Sequence, residues 1–183
     1  MRFVFIGLML FVSNMIMAQS VGPFSSTTKI YIVRHAEKQS GKDPLLTGEG
    51  NNRAGDLMRT LKDKKISRMY VTEYKRTQNT ADSLRIQFNI DTVQILADTN
   101  CVSLFNAITA NKDWKKPILI VTHSNIVPKV IYKLGITFFP QENLPDTEFD
   151  NLYIVSFKKG KPVLKHTKYG KPSAASATMQ PMK

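Results

Sequence analysis

Two stretches of this chain, Lys29 to Val33 and Pro117 to Thr122, are almost unbroken runs of apolar and β-branched residues, and a histidine stands just beyond each. A strand with no polar face must be covered on both sides, as happens when helices pack on the two faces of a parallel sheet. The intervening sequence supplies those helices. Thr47 can cap one whose apolar positions Ala54, Leu57, Met58 and Leu61 recur at helical spacing. Tyr74 to Phe88 reads as a second, through Thr77, Thr80, Ala81, Leu84 and Phe88. Ser103 to Ala110 and Val127 to Leu134 read as two more, the last closed by Gly135. Short strands are expected at Ser67 to Thr72 and Thr92 to Leu96, and a terminal pair at Asn151 to Phe157 and Val163 to Thr167 around Lys159-Gly160. Strands alternating with helices predict a three-layer α/β/α domain with a mostly parallel central sheet.

The first 18 residues read differently. Arg2 precedes an apolar run from Phe3 to Met17, and Ala18 offers a small residue before polar Gln19 and Ser20. That is the pattern of a secretory signal peptide, and it predicts export to a periplasmic or extracellular space. The run is shorter than the roughly 20 apolar residues of a membrane span, so no stable membrane insertion is expected after cleavage. Residues 19–28 then form a linker, 29–167 the domain, and 168–183 a flexible basic tail. A single cysteine, Cys101, excludes an internal disulfide. The formal net charge of +12 favours anionic partners. No basic run with interleaved aromatics marks a nucleic-acid module, so none is expected as partner.

In open α/β sheets ligands bind beyond the carboxyl ends of the strands. Arg34 and His35 follow the first strand, Arg76 lies just past the second, and His123 follows another with Ser124 and Asn125 behind it. If these ends are neighbours, two guanidinium groups and two imidazoles converge on one crevice. Such groups repel unless an anion joins them, and arginine forks match phosphate oxygens. No HxH or HExxH spacing and no nearby cysteine suggests a metal, and two arginines would oppose a cation. His166 has no acidic or basic companion in this reading and is given no role.

Four segments in order resemble the histidine phosphatase (phosphoglycerate mutase-like) superfamily. Ile-Val-Arg34-His35-Ala36-Glu37 is similar to its strand and Arg-His-Gly signature; Leu46-Thr47-Gly48-Glu49-Gly50 to its Leu-Thr-x-x-Gly segment; Arg76 to Ala81 to its Arg-x-x-x-Thr-Ala segment; and Ile120 to Asn125 to its Val-x-His-x-Asn segment. The resemblance implies a phosphoglycerate mutase-like fold and a phosphomonoester hydrolase with His35 as nucleophile, passing through phosphohistidine without a metal or other cofactor. Arg34, Arg76, His123 and Asn125 would hold the phosphoryl group of a small substrate or a phosphoprotein. A phosphoryl-transferring mutase and a non-catalytic anion-binding module are the alternatives. Ala36 departs from the family's glycine. The acid that protonates the leaving group is not fixed by the motifs: Asp98 is favoured by position, Glu37 beside the nucleophile is the alternative, and Glu73, Glu148 and Asp150 are further candidates. Glu37 could instead be a counter-ion to the pocket arginines. No long insertion interrupts the domain, so an open pocket is expected.

Overall fold

The computed structural model describes residues 27–173. The expected signal peptide, most of the linker and the end of the tail lie outside them. Within them a six-stranded sheet is covered by helices on both faces. In chain order the elements are β1 (Lys29–Arg34), α1 (Gly48–Leu61), β2 (Arg68–Thr72), α2 (Lys75–Phe88), β3 (Thr92–Ile95), α3 (Val102–Ala110), β4 (Ile118–Thr122), α4 (Val127–Lys133), β5 (Asn151–Lys158) and β6 (Lys161–Lys168). A single 3-10 turn, Asp113–Lys115, precedes β4.

The strand order is β3-β2-β4-β1-β5-β6. The first four are parallel to one another, and β5 and β6 add an antiparallel hairpin at one edge. Its two-residue turn has left-handed φ at both positions, 49° at Lys159 and 75° at Gly160. That is the geometry that matches the twist of the flanking strands. The fully apolar runs take the central places: every residue of β4 is buried, and all of β1 after Lys29. One face packs Ile30, Ile32, Ile118 and Ile120 against Leu104 and Ile108 of α3 and Val127, Val130 and Ile131 of α4. The other packs Tyr31, Val33, Leu119 and Val121 against Leu57 and Leu61 of α1 and Ala81 and Leu84 of α2. Parallel connection through helices leaves β1, β2 and β4 with their carboxyl ends side by side, and the motif residues stand there.

The boundaries expected from composition shift at both ends. Thr28, assigned to the linker, is buried and its hydroxyl donates to the carbonyl of Trp114 at 2.7 Å. The chain beyond 167, expected as a flexible tail, is held at least to Ser173. β6 continues through Lys168, and the amide of buried Tyr169 donates to the carbonyl of Asp150 at 2.9 Å. The Ser173 hydroxyl accepts the Phe149 amide at 2.9 Å. Much of this anchoring uses main-chain groups, which small polar composition does not reveal.

Thr47 caps α1 as expected, its hydroxyl accepting the Gly50 amide at 3.1 Å. The first turn of α1 lies directly on the main chain that follows His35. A Cβ on Gly50 would overlap the carbonyl of Glu37, a main-chain group that cannot swing aside. Gly50→Ala is therefore expected to lower stability by about 1–3 kcal/mol, the usual cost of overpacking. Urea unfolding against wild type measures it, whereas Gly48→Ala, with open space around its Cβ, should differ little.

Candidate active site

His35 leaves β1 with its amide bonded to the carbonyl of Thr122 at 2.9 Å, so the start of the loop continues the β1–β4 ladder. Its Nδ1 lies 2.8 Å from the Ala36 carbonyl. A carbonyl only accepts, so Nδ1 carries the proton and Nε2 keeps its lone pair. The Ala36 amide donates to the hydroxyl of Thr80 at 2.9 Å, and that hydroxyl donates to the Arg76 carbonyl at 2.7 Å. Thr80 thus ties the loop after His35 to α2, which gives the threonine of the third motif a physical task. Ala36 is not among the positive-φ residues, so its departure from glycine carries no backbone strain.

His123 stands at the end of β4, its ring centroid 5.4 Å from that of His35. Its Nδ1 faces Nη2 of Arg76 at 3.4 Å and its Nε2 faces the Thr72 hydroxyl at 2.9 Å. Since a guanidinium only donates, Nδ1 accepts and Nε2–H donates to Thr72. The Thr72 hydroxyl in turn meets that of Thr77 at 2.9 Å, and Thr77 donates to the Tyr74 carbonyl at 2.8 Å.

Both imidazoles are held neutral. Burial pushes the His35 pKa down to about 3, with Arg34, His123 and Arg76 adding to the fall. His123 is pushed down to about 4, again chiefly by burial and then by Arg76 and Arg34. A neutral imidazole is the competent nucleophile.

The two arginines are fixed without neutralisation by a close carboxylate. Arg34 donates from Nη1 to the carbonyls of Pro145 at 2.8 Å and Glu148 at 3.3 Å, and its plane lies 4.3 Å from the Phe149 ring. Its ion pair with Asp146 is long, 3.5 Å, and that aspartate side chain is 96% exposed. Arg76 lies 4.2 Å from the Tyr74 ring and 4.0 Å from an Asp43 oxygen. The Nε atoms of both arginines are buried and, among the described residues, have no hydrogen-bond partner. Two buried, unmatched cationic donors beside two neutral imidazoles form a receptor for a tetrahedral oxyanion.

Other residues fall elsewhere. Glu37, offered as an acid or as counter-ion to the pocket arginines, grips Arg53 of α1 instead, with contacts of 2.6, 2.8 and 2.9 Å. Arg53 also donates to the Lys171 carbonyl at 2.9 Å. Asp98 accepts the Ser103 amide at 3.1 Å and so holds the first turn of α3. Glu73 accepts the Ala97 amide at 2.8 Å. Glu148 and Asp150 both receive Lys168. Asn125 is exposed in the turn between β4 and α4. Sequence reasoning missed Tyr74, Phe149 and Asp146. Tyr74 could have been noticed beside Arg76, but Phe149 and Asp146 come from the loop after α4, which has no motif. That loop bends back to the crevice, the Leu144 amide donating to the Ser124 carbonyl at 3.1 Å.

A family model described as the histidine phosphatase superfamily (branch 1) matches residues 30–100, which include Arg34, His35 and Arg76. Over those residues the chain is similar to the histidine phosphatase superfamily. Its fold is that of solved histidine phosphatase structures at low identity. The SixA protein from Agrobacterium tumefaciens is 18% identical with a TM-score of 0.59, over 80% of this chain and 100% of that one. The alpha-ribazole phosphatase from Shigella flexneri is 17% identical with a TM-score of 0.61, over 76% and 96%. The phosphoserine phosphatase from Entamoeba histolytica, in complex with 3-phosphoglyceric acid, is 16% identical with a TM-score of 0.54, over 79% and 97%. No curated protein matches the chain in sequence. The match over residues 30–100 and the shared fold support phosphatase- or mutase-type activity.

The depressed histidine pKa values have a consequence for stability. Between an unfolded value near 6.5 and the folded values of about 3 and 4, the unfolded chain binds more protons. Stability must then fall as pH drops through that interval. Thermal melts from pH 7 to 4 should show the loss, and His35→Gln should reduce it. Inorganic phosphate should raise the melting temperature of the wild type, because it binds the folded crevice alone.

Proposed function

We propose that this chain is a metal-independent phosphomonoester hydrolase that works through a phosphohistidine on His35. The observation that carries the reading is the pair of buried, unmatched arginine Nε donors beside an imidazole whose Nε2 lone pair is free by tautomer. In the first step Nε2 attacks phosphorus and the bond to the ester oxygen breaks. Arg34 and Arg76 hold the phosphoryl oxygens, where fixed donors stabilise charge as it redistributes, and neutral His123 accepts from Arg76 and keeps it in place. Water then attacks phosphorus, the N–P bond breaks, and inorganic phosphate leaves with His35 restored. The structural relatives named as phosphatases support the class of reaction and leave the substrate open between a small phosphorylated molecule and a phosphoprotein. Export is part of this reading, supported by the charged and apolar pattern of residues 1–18, and puts the substrate outside the cytoplasm.

For the leaving-group proton the geometry favours Asp146. Glu37 is committed to Arg53 and Asp98 to α3, whereas Asp146 is exposed and reaches Arg34. Its carboxyl would protonate the departing oxygen, and its carboxylate would take the proton of the attacking water in the second step.

Hydrolysis of para-nitrophenyl phosphate by the full chain in EDTA is the direct test. Turnover is expected in the wild type and should be lost in His35→Ala. Equal activity in both would exclude His35 as nucleophile, and phosphate binding without turnover on any ester would favour an anion-binding module. Asp146→Asn should slow alkyl phosphates by about 10²–10⁴-fold, the usual contribution of a general acid. It should leave para-nitrophenyl phosphate nearly unchanged, since that leaving group needs no proton.

A further inference from the structure

The end of the sheet opposite the crevice carries a charge array that the phosphatase reading does not use. The loop before β2 holds Lys62, Lys64 and Lys65, all exposed. The loop before β4 holds Lys112, Lys115 and Lys116, also exposed. Lys29 opens β1 at the same level, and the β5–β6 hairpin adds Lys158, Lys159 and Lys161. Ladder contacts make these loops neighbours: the Ser67 amide bonds the Pro117 carbonyl, Thr28 bonds the Trp114 carbonyl, Lys29 pairs with Ser156, and Lys158 sits directly opposite Lys161.

Acidic residues at this pole are few and mostly committed. Asp113 is buried, binding Arg68 at 2.7 Å and Lys116 at 2.9 Å, and Asp91 lies 3.5 Å from Arg68. Asp63 is exposed. Among the described residues, no pole lysine other than Lys116 has a carboxylate within ion-pair distance. Lys168, at the far end of β6, is by contrast held by Glu148 and Asp150. Like charges directly opposite across a hairpin, as at Lys158 and Lys161, are destabilising unless an anion joins them.

We infer that this lysine pole docks on an anionic phospholipid bilayer surface, with the catalytic crevice turned away from the lipid. Two observations favour a bilayer over a nucleic acid. First, the chain enters the domain at this pole. Residues 18–26 separate the apolar run ending at Met17 from Thr27, and nine residues span at most about 30 Å. Membrane contact by that run, before or without cleavage, brings this pole to the surface rather than the crevice. Second, the one aromatic residue in these loops, Trp114, stacks on Phe105 and donates its Nε1–H to Thr109, so it offers no platform for bases.

The test uses the full chain with phosphatidylcholine vesicles, plain or containing phosphatidylglycerol. The apolar run alone would bind both kinds; the pole adds preference for the anionic ones. Lys29→Gln, Lys158→Gln, Lys159→Gln and Lys161→Gln combined should cut that preference at least tenfold. Lys38→Gln, Lys42→Gln and Lys129→Gln combined should preserve it. Thermal melts establish that each variant is folded, and destabilisation of the first is met by Lys62→Gln, Lys64→Gln and Lys65→Gln, which lie in a loop. Trp114 is the single tryptophan, so energy transfer to a dansyl headgroup reports the orientation. Strong transfer in the wild type that disappears with the pole lysines supports the inference. No preference for anionic vesicles, equal losses in pole and control variants, or tighter binding to single-stranded RNA than to vesicles would overturn it. Loss of phosphatase activity does not enter, so failure here and failure of the catalytic reading are separable.

Discussion

Two guanidinium groups and two imidazoles share one crevice, and their mutual repulsion is the constraint around which the surrounding chain is arranged. The imidazoles avoid it by staying neutral, each locked in one tautomer by a partner with a fixed hydrogen-bonding role: the Ala36 carbonyl for His35, Arg76 for His123. The guanidinium groups cannot become neutral at ordinary pH. They are held by ring faces and main-chain carbonyls, which orient a cation without cancelling its charge. A close carboxylate would have fixed them as well, but would have competed with an oxyanion for the same donors. The long contact to solvent-exposed Asp146 and the 4.0 Å contact to Asp43 leave that competition weak.

The central fold was legible because its strongest signals are local. Runs such as Ile118 to Thr122 have only one comfortable place, in the middle of a covered sheet. Helix boundaries were read to within a residue or two where a cap or a glycine marks them, as at Thr47 and Gly135. The four motif residues at strand ends were legible for the same reason, since strand termini are where the chain turns. The residues that complete the site were not. Phe149 and Asp146 follow a stretch with no periodicity, and their position depends on the bond of Leu144 to Ser124, a contact between distant segments. The arginines lower both histidine pKa values, yet burial is the larger cause, and burial is a property of the packed domain.

Glu37 shows how a residue close to His35 can serve the packing of the domain instead. Its position suggested chemistry or a charge partner for the pocket. The structure gives it to Arg53, which is 2% exposed and also binds the carbonyls of Tyr169 and Lys171. The pair is nearly buried, and either member left alone would be an uncompensated charge. The basic pole illustrates the opposite limit: the net charge is plain in composition, and only strand order shows that these lysines share one end of the sheet.

The grip of Arg53 on Glu37 at one side and on the carbonyls of Tyr169 and Lys171 at the other bears on how the protein is made. His35 directly follows the first strand and is among the earliest parts of the domain to be synthesised. The carbonyl of Lys171 is among the last. A nascent chain still short of that residue has no complete seat for Arg53, so the loop carrying His35 cannot be fully fixed. Completion of the site is thereby deferred until the whole domain has emerged, and a chain released early has its first motif in place but unsupported.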